Sequence, residues 1–596
     1  MTPRTLVDVF RNLEGLNKPD LHLYKKDGAW RAISSSEFIE RVKWLSSGLG
    51  VLGVQPGDRV ALLSENRPEW SLIDFACQCY GVPLVPIFPT MVASQADYLL
   101  NDSGSVIAFA STADQAAKVL DAKSNCPGLK HVVVLDDFSA PGVLPFSKVL
   151  ADGRAAHEAD PAAFDRRADT RTPDDLATLI YTSGTTGEPK GAMLTQSNFV
   201  SNMLAGCTIL PFDSTFVALS FLPLSHVFER LIEYCYYHRG STIAFAESLD
   251  KLKDNFVEVN PSIFGAVPRV YEKIYARVFD KVAKGSPIQQ KIFYAALDVA
   301  KQVLALRAQK KTPGLALALQ HFVFERLVYK KVRAALGSRF RMAISGGAPL
   351  SKELAEFFWA FGVEIYEGYG LTETSPVIAV ACPSAWKLGT VGRILPGVEA
   401  KIADDGEILT RGPHVMKGYF KKPEATKEAI DEQGWFHTGD IGLIDEDGFL
   451  KITDRKKELI VNSNGKNIAP APIESMLKNE AFVSQAVVIG DRRRFLSCVF
   501  VPDLEKLASW AESNGAVGKT VDELVVDPRV LAIFQEIISR WNKGKPNEQM
   551  IRKFSLLAAD FTIEGGELTP KLSVKRRVID TKYKSVIDAM YTGSGE

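Results

Sequence analysis

The chain has 596 residues, more than one hydrophobic core serves comfortably, so at least two domains are expected. Lys plus Arg and Asp plus Glu both number 71, which excludes the overall positive charge of a nucleic-acid-binding protein. The seven Cys form no CxxC pair and the eight His are dispersed, which argues against a disulfide framework or a structural metal cluster.

The opening MTPRTLVDVFRNLEG carries acidic groups and lacks a continuous apolar core, so it does not read as a signal peptide. No run approaches the roughly 18 apolar residues a membrane span needs. A cytoplasmic protein is expected, with peripheral contact at the inner membrane surface left open. Apolar runs at 60–63, 132–135, 178–181, 217–221 and 342–345 read as short buried strands alternating with helical periodicities. That alternation predicts α/β layering. Residues 351–362 show the helical half: Ser351 can cap, Leu354, Phe357, Phe358 and Phe361 share a face, and Gly362 ends the helix.

Two stretches break this rhythm. Residues 286–337 read as almost wholly helical, starting at Ser286-Pro287, with Ile288, Ile292, Ala295, Val299 and Val303 as the expected packing stripe. Thr312-Pro313-Gly314 interrupts, and a second helix runs toward Gly337 with Phe322, Val323, Leu327 and Val328 offered for packing. Lys301, Arg307, Lys310, Lys311, Arg326, Lys330, Lys331 and Arg333 make the pair basic. A solvated helix face is the simpler reading, and a surface attracted to anionic lipid the alternative. Beyond 457 the texture changes: residues 485–489 and 497–501 read as hairpin strands around 491–494, followed by helices. The expected architecture is therefore a large α/β N-terminal domain over 1–454, holding the helical insert, and a small α+β domain over 455–596.

The densest chemical signal is YTSGTTGEPKG at 181–191. A buried strand runs into a loop whose Gly184 and Gly187 let backbone N–H groups approach an anion. Thr182, Ser183, Thr185 and Thr186 add hydroxyls, and Lys190 adds a positive charge. The loop suits a triphosphate or departing pyrophosphate, yet it is not a Walker loop, because Pro189 stands where that pattern has Gly. Further along come LPLSHVFER at 222–230, SGGAPLS at 345–351, YEGYGLTET at 366–374, GWFHTGDIG at 434–442 and DRKKELIV at 454–461.

In these segments and their order, the chain resembles the AMP-forming adenylate-forming superfamily, which includes acyl-CoA synthetases, luciferases and peptide-synthetase adenylation domains. The resemblance implies a multi-subdomain adenylation domain, layered α/β with a β-barrel-like part, and a mobile C-terminal domain hinged near 454–457. It also implies that Ser345, Gly346, Gly347, Ala348 and Pro349 flank adenine. Tyr369 offers its ring to the base between Gly368 and Gly370, with Glu367 beside them. Glu373 and Thr182 hold Mg²⁺, Asp440 accepts from the ribose hydroxyls, and Arg455 and Lys457 support the same nucleotide. His226, Thr372 and Glu373 carry catalytic roles, His226 by positioning and charge stabilisation. Taken singly, Asp440 reads as a loop acid, Glu373 as a solvated one, and Tyr369 and His226 as core residues.

VPRVYEKIY at 267–275, HVFER and the helical insert resemble the long-chain branch, which implies a long-chain fatty acid, ATP and coenzyme A as substrates. A homodimer stays open. The sequence departs from the family at Ser573, where a lysine is usual; Lys571 and Lys575 flank it, and either a neighbour, Lys571 being favoured, substitutes, or the local register shifts, or adenylation is impaired. It departs again at Val461, beside the loop NGKNIAP at 464–470 expected to face the CoA channel. An acyl-AMP ligase serving a carrier protein, a luciferase-type oxygenase, and a nucleotide- and lipid-binding protein without catalysis share most of these motifs.

Overall fold

The computed structural model describes residues 2–182, 188–461, 467–563, 565–569 and 574–592. Two large sheets form the body, one of eight strands and one of nine. In the eight-stranded sheet Arg59–Leu63, Leu84–Ile87, Ser105–Ala110 and His131–Val134 run parallel. Val60, Leu62, Leu84 and Ile107 are fully buried, as apolar strands covered on both faces require. In the nine-stranded sheet Val217–Ser220, Ile263–Ala266, Met342–Ser345 and Ile365–Gly370 are parallel neighbours. One extended apolar core, from Leu6 to Phe436, joins the sheets through their helices. The short strands expected from apolar runs all form.

Glu399–Ile402, Glu407–Arg411, Phe436–Ile444 and Leu450–Arg455 form a separate four-stranded antiparallel sheet. Beyond it, Val483–Ile489 pairs antiparallel with Leu496–Pro502, which pairs parallel with Ile551–Leu556. Helices pack on both faces of this three-stranded sheet, giving it two cores of its own. The layered α/β body and the α+β C-terminal unit are the architecture the sequence suggested.

The helix Lys352–Ala360 has Ser351 as cap, accepting from the Leu354 N–H at 3.2 Å, and Gly362 follows with φ +75°. The helical insert departs from expectation. In Pro287–Ala308 the buried residues are Phe293, Ala296, Val299, Ala300 and Leu304, while Ile288, Ile292 and Ala295 face solvent. The packing stripe is thus rotated from the one the sequence suggested, because Phe293 stacks on Phe361 at 5.7 Å and fixes the helix's orientation. Its successor, Leu315–Phe324, buries no residue at all. Phe322, Val323 and Leu327, expected to pack, are exposed, and Tyr329 takes that place with its hydroxyl donating to the Ala296 carbonyl at 2.7 Å.

Candidate active site

Leu176–Thr182 pairs antiparallel with Lys190–Thr195, and Thr182 stands opposite Lys190. Lys190 therefore opens the second of two paired strands, whereas the lysine of a Walker loop lies where a helix opens. Ser183, Gly184, Thr185, Thr186 and Gly187 lie outside the described residues. The Thr182 hydroxyl donates to Glu373 Oε1 at 3.3 Å, and the Tyr419 hydroxyl donates to the same oxygen at 2.9 Å. Lys190 Nζ sits 5.2 Å from the Tyr419 ring centre. This corner pairs one carboxylate with an adjacent hydroxyl, hard oxygens that fit Mg²⁺, which keeps waters and takes one or two carboxylates alongside substrate phosphates. Among the described residues no cluster of three or more His, Cys, Asp and Glu offers a closed metal cage, so a shared, phosphate-completed site is the one the donors suit.

Across the cleft, Ile365–Gly370 runs parallel to Met342–Ser345 and then turns antiparallel to Val377–Val380, with a register shift at Tyr369/Gly370. Gly370 is obligatory, because a Cβ there would lie 1.6 Å from the Pro376 carbonyl oxygen. The Tyr369 hydroxyl donates to Asp440 Oδ2 at 2.7 Å. Asp440 stands opposite Arg455 in the hairpin Phe436–Ile444/Leu450–Arg455, with Arg455 Nε 3.4 Å from Oδ1. Burial pushes the Asp440 carboxyl above its ordinary range, and the Arg455 guanidinium opposes that push. Burial also lifts Glu367 to about 8, with a backbone N–H from Leu350 pulling the other way.

Between these corners the cleft, about 690 Å³ in volume, extends into an apolar corridor between two helices. Asn202, Gly206 and Leu210 contribute one wall, four residues apart along Gln196–Ile209 and its cap. Phe228, Leu231, Ile232 and Cys235 contribute the other, one stripe of Val227–Arg239. A Cβ on Gly206 would meet nothing within 4 Å, so this wall is open at that point. His226 caps the second helix: the Phe228 N–H donates to its Nδ1 at 3.1 Å, which leaves the neutral ring's proton on Nε2. Arg230, from the same HVFER segment, turns away from the cleft and pairs with Asp74 at 2.5 Å, both fully buried.

Of the residues singled out in the sequence, Thr182, Lys190 and His226 line one side of this cleft, and Gly346, Gly347, Gly368, Tyr369 and Gly370 another. Thr372 and Glu373 close its floor, and Asp440, Arg455 and Lys457 its far rim. Ser345, Ala348, Pro349 and Glu367 are not among its lining residues. Lys571 and Ser573 lie outside the described residues, although Thr569 reaches the cleft. Sequence reading missed Tyr419, whose GYF segment carries no catalytic pattern, and Glu407, which accepts from the Gly439 N–H at 2.8 Å and pairs with Lys456 at 2.9 Å. An apolar tunnel for the acyl chain was expected from sequence, but not its lining, because Gly206 and Leu210 are ordinary helix residues until the fold sets them opposite Cys235.

The chain belongs to the AMP-binding enzyme family: the profile described as "AMP-binding enzyme" matches residues 15–420, and that of the "AMP-binding enzyme C-terminal domain" matches 457–595. Within that family it is 40% identical over 578 residues to the "Long-chain-fatty-acid--CoA ligase FadD15" of Mycobacterium bovis, covering 96% of this chain and 95% of the relative. It is 32% identical to the "Long-chain-fatty-acid--CoA ligase 1" of Cavia porcellus over 99% of this chain and 87% of that one. Among solved structures, the adenylation domain of the carboxylate reductase from Mycobacterium chelonae superposes with a TM-score of 0.74 at 24% identity, over 98% of this chain and 91% of that one, a likeness of fold.

Proposed function

We propose that this chain is a long-chain fatty acid–CoA ligase, using ATP, Mg²⁺ and coenzyme A and passing through an acyl-adenylate. The observation that carries the reading is one continuous cleft joining the Thr182–Glu373 corner, the Tyr369–Asp440 pair and the apolar corridor past Leu231 to Gly206. Ligases of that name align with nearly the whole chain.

In the first half-reaction the fatty carboxylate attacks the α-phosphorus of ATP and pyrophosphate leaves. Bound Mg²⁺, held by Glu373 and Thr182 with the phosphates, would neutralise charge on the leaving group. Lys190 adds a fixed cation at the same corner, Asp440 accepts from the ribose hydroxyls, and Tyr369 faces the base. Gly346 and Gly347 border the base on the side where Ser345, Ala348 and Pro349 continue the loop. His226, its tautomer set by the Phe228 N–H, directs Nε2–H toward developing charge and acts by positioning. Lys571 supplies the C-terminal cation that Ser573 lacks, a role supported by Thr569 on the cleft wall. The corridor takes the acyl chain, each buried methylene contributing roughly 0.8 kcal/mol.

In the second half-reaction the 455–596 domain turns about residues 454–457, and the CoA sulfur attacks the acyl carbonyl, releasing AMP. Arg455 and Lys456 hold the hinge to the body through Asp440, Asp405 and Glu407, while Glu458 faces Arg576 of the small unit at 3.5 Å. The chain works in the cytoplasm, at the inner membrane surface; no helix among the described residues is long and apolar enough to cross a membrane. Incubation with ATP, Mg²⁺, CoA and saturated acids of graded length tests the reading. The expected result is equimolar AMP and acyl-CoA with an optimum among long acids. Adenylate that accumulates and ignores free CoA would favour carrier-protein transfer, and no AMP with any acid would end the reading.

A further inference from the structure

The helical insert presents an apolar face that the fold leaves uncovered. Leu315 is 93% exposed, Leu319 65% and Phe322 53%, and the spacing 315, 319, 322 puts them on one side of Leu315–Phe324. Leu327 continues the exposed surface in the next turn, and Ile288 and Ile292 face solvent on the preceding helix. Isolated exposed apolar residues need no explanation; a ten-residue helix with no buried residue and three bulky apolar side chains outward does.

The charges around this face are sorted. Between 286 and 337 there are nine Lys and Arg against two acidic residues. Lys301 and Arg307 turn toward the body and pair with Glu356 at 2.9 Å and Glu364 at 2.6 Å, and Arg333 pairs with Glu325. Lys310 and Lys311 precede the apolar helix, and Arg326, Lys330 and Lys331 follow it, all exposed and with no ion pair among the described residues. Arg326 lies along the Phe322 ring at 4.5 Å, an apolar stem with a charged tip.

We propose that the hairpin 287–333 docks the enzyme on an anionic phospholipid bilayer, with Leu315, Leu319 and Phe322 entering the headgroup boundary and Lys310, Lys311, Arg326, Lys330 and Lys331 meeting lipid phosphates. A helix of ten residues is about 15 Å long, half the hydrocarbon thickness, so it lies in the interface and does not cross. Charge chooses the occupant. A second copy docked on this face by a two-fold axis would set the same cations against themselves, whereas an anionic surface neutralises them. The proposal rests on the reading of the chain as a fatty-acid ligase at the membrane surface, and assigns that contact to a surface separate from the cleft.

Co-sedimentation of the full chain with vesicles of phosphatidylcholine, with and without phosphatidylglycerol, tests it. Binding is expected to the mixed vesicles, falling steeply between 50 mM and 500 mM salt. K310Q/K311Q is expected to weaken it on the order of fivefold per cation removed. L319E/F322E is expected to abolish it while pyrophosphate exchange with a soluble medium-chain acid stays at the wild-type rate; that exchange tests the ligase reading separately and shows that the variant folds. Wild-type chain that ignores mixed vesicles, or binds neutral ones equally, would overturn the proposal. So would a dimer in sedimentation equilibrium that L319E/F322E converts to monomer, since the face would then belong to a second copy.

Discussion

Gly206 shows what one missing side chain can do. It sits in a helix, where glycine costs about 1 kcal/mol relative to alanine, and its empty Cβ position faces the corridor. Gly206→Leu should therefore leave folding intact or improved while blocking the passage. The chain-length optimum is expected to shift by several carbons toward shorter acids, with kcat/KM for the longest acids down at least tenfold, read from AMP release across a graded series. An unchanged optimum would place the acyl chain elsewhere. Tyr369 makes a second case. Its hydroxyl holds Asp440, whose burial disfavours the charged form, so Tyr369→Phe removes a bond to the carboxylate proposed to receive the ribose. A hydrogen bond to a charged group is worth about 1.5–3 kcal/mol, which predicts a KM for ATP raised roughly 10- to 100-fold with the KM for the acid little changed. Motif residues such as Glu373 and Asp440 were legible in sequence as candidates, because the roles proposed for them demand a carboxylate, and the fold brings both to one cleft. Tyr419 was not, because a tyrosine gains its meaning only when folding brings its hydroxyl to Glu373.

The helix Val227–Arg239 also carries buried ionisable groups, Arg230 and Glu233, that are not among the residues lining the cleft. Arg230 pairs with Asp74 and with the Tyr234 hydroxyl, all fully buried. Asp74→Ala leaves a buried guanidinium without its carboxylate, and unfolding in urea should show a loss of about 3–5 kcal/mol. Four residues along from Glu229, Glu233 is lifted by burial to about 8 from its ordinary 4.5, although the Ser71 hydroxyl donates to it at 2.8 Å. The folded chain thus keeps a proton that the unfolded chain releases. This contribution to stability is full below pH 4.5 and is lost as pH rises through about 8. Glu233→Gln should narrow the difference between melting temperatures at pH 6 and pH 8.5; a gap as wide as in the parent would remove Glu233 as its source. Element identity was readable from periodicity and caps, as at Ser351 and Ser286. Which face of the insert turns inward was not, because Phe293 and Ile292 are equally apolar and their tertiary neighbours, Phe279 and Phe361 on Phe293, decide between them.

At the scale of the whole chain, the small unit rests on the body through polar contacts: Arg269 donates to the Ser484 carbonyl at 3.2 Å, Asn479 to Ser351 at 2.9 Å, and Lys506 pairs with Asp280. These part-buried contacts are polar, as at domain interfaces that permit relative motion. Cross-linking D280C/K506C should hold this arrangement, with Thr569 on the cleft. Fatty-acid-dependent pyrophosphate exchange is expected to persist while acyl-CoA formation falls at least a hundredfold, and reduction of the cross-link should restore it; equal loss of both halves would argue against a turning domain. Chain length and the change of texture past 457 already implied two units, and the motifs implied one nucleotide site. The walls of the corridor and the uncovered hairpin face needed the fold, which sets Gly206 opposite Cys235 and leaves Leu315, Leu319 and Phe322 exposed.

The account depends on one cleft holding nucleotide and acyl chain end to end. The most direct measurement is a crystal structure of the chain with a hydrolysis-resistant long-chain acyl-sulfamoyl adenosine. The account predicts ribose oxygens on Asp440, the sulfamoyl group near Thr182 and His226, and the acyl chain between Leu231 and Gly206. A ribose away from Asp440, or an acyl chain leaving the cleft before Leu231, would contradict it.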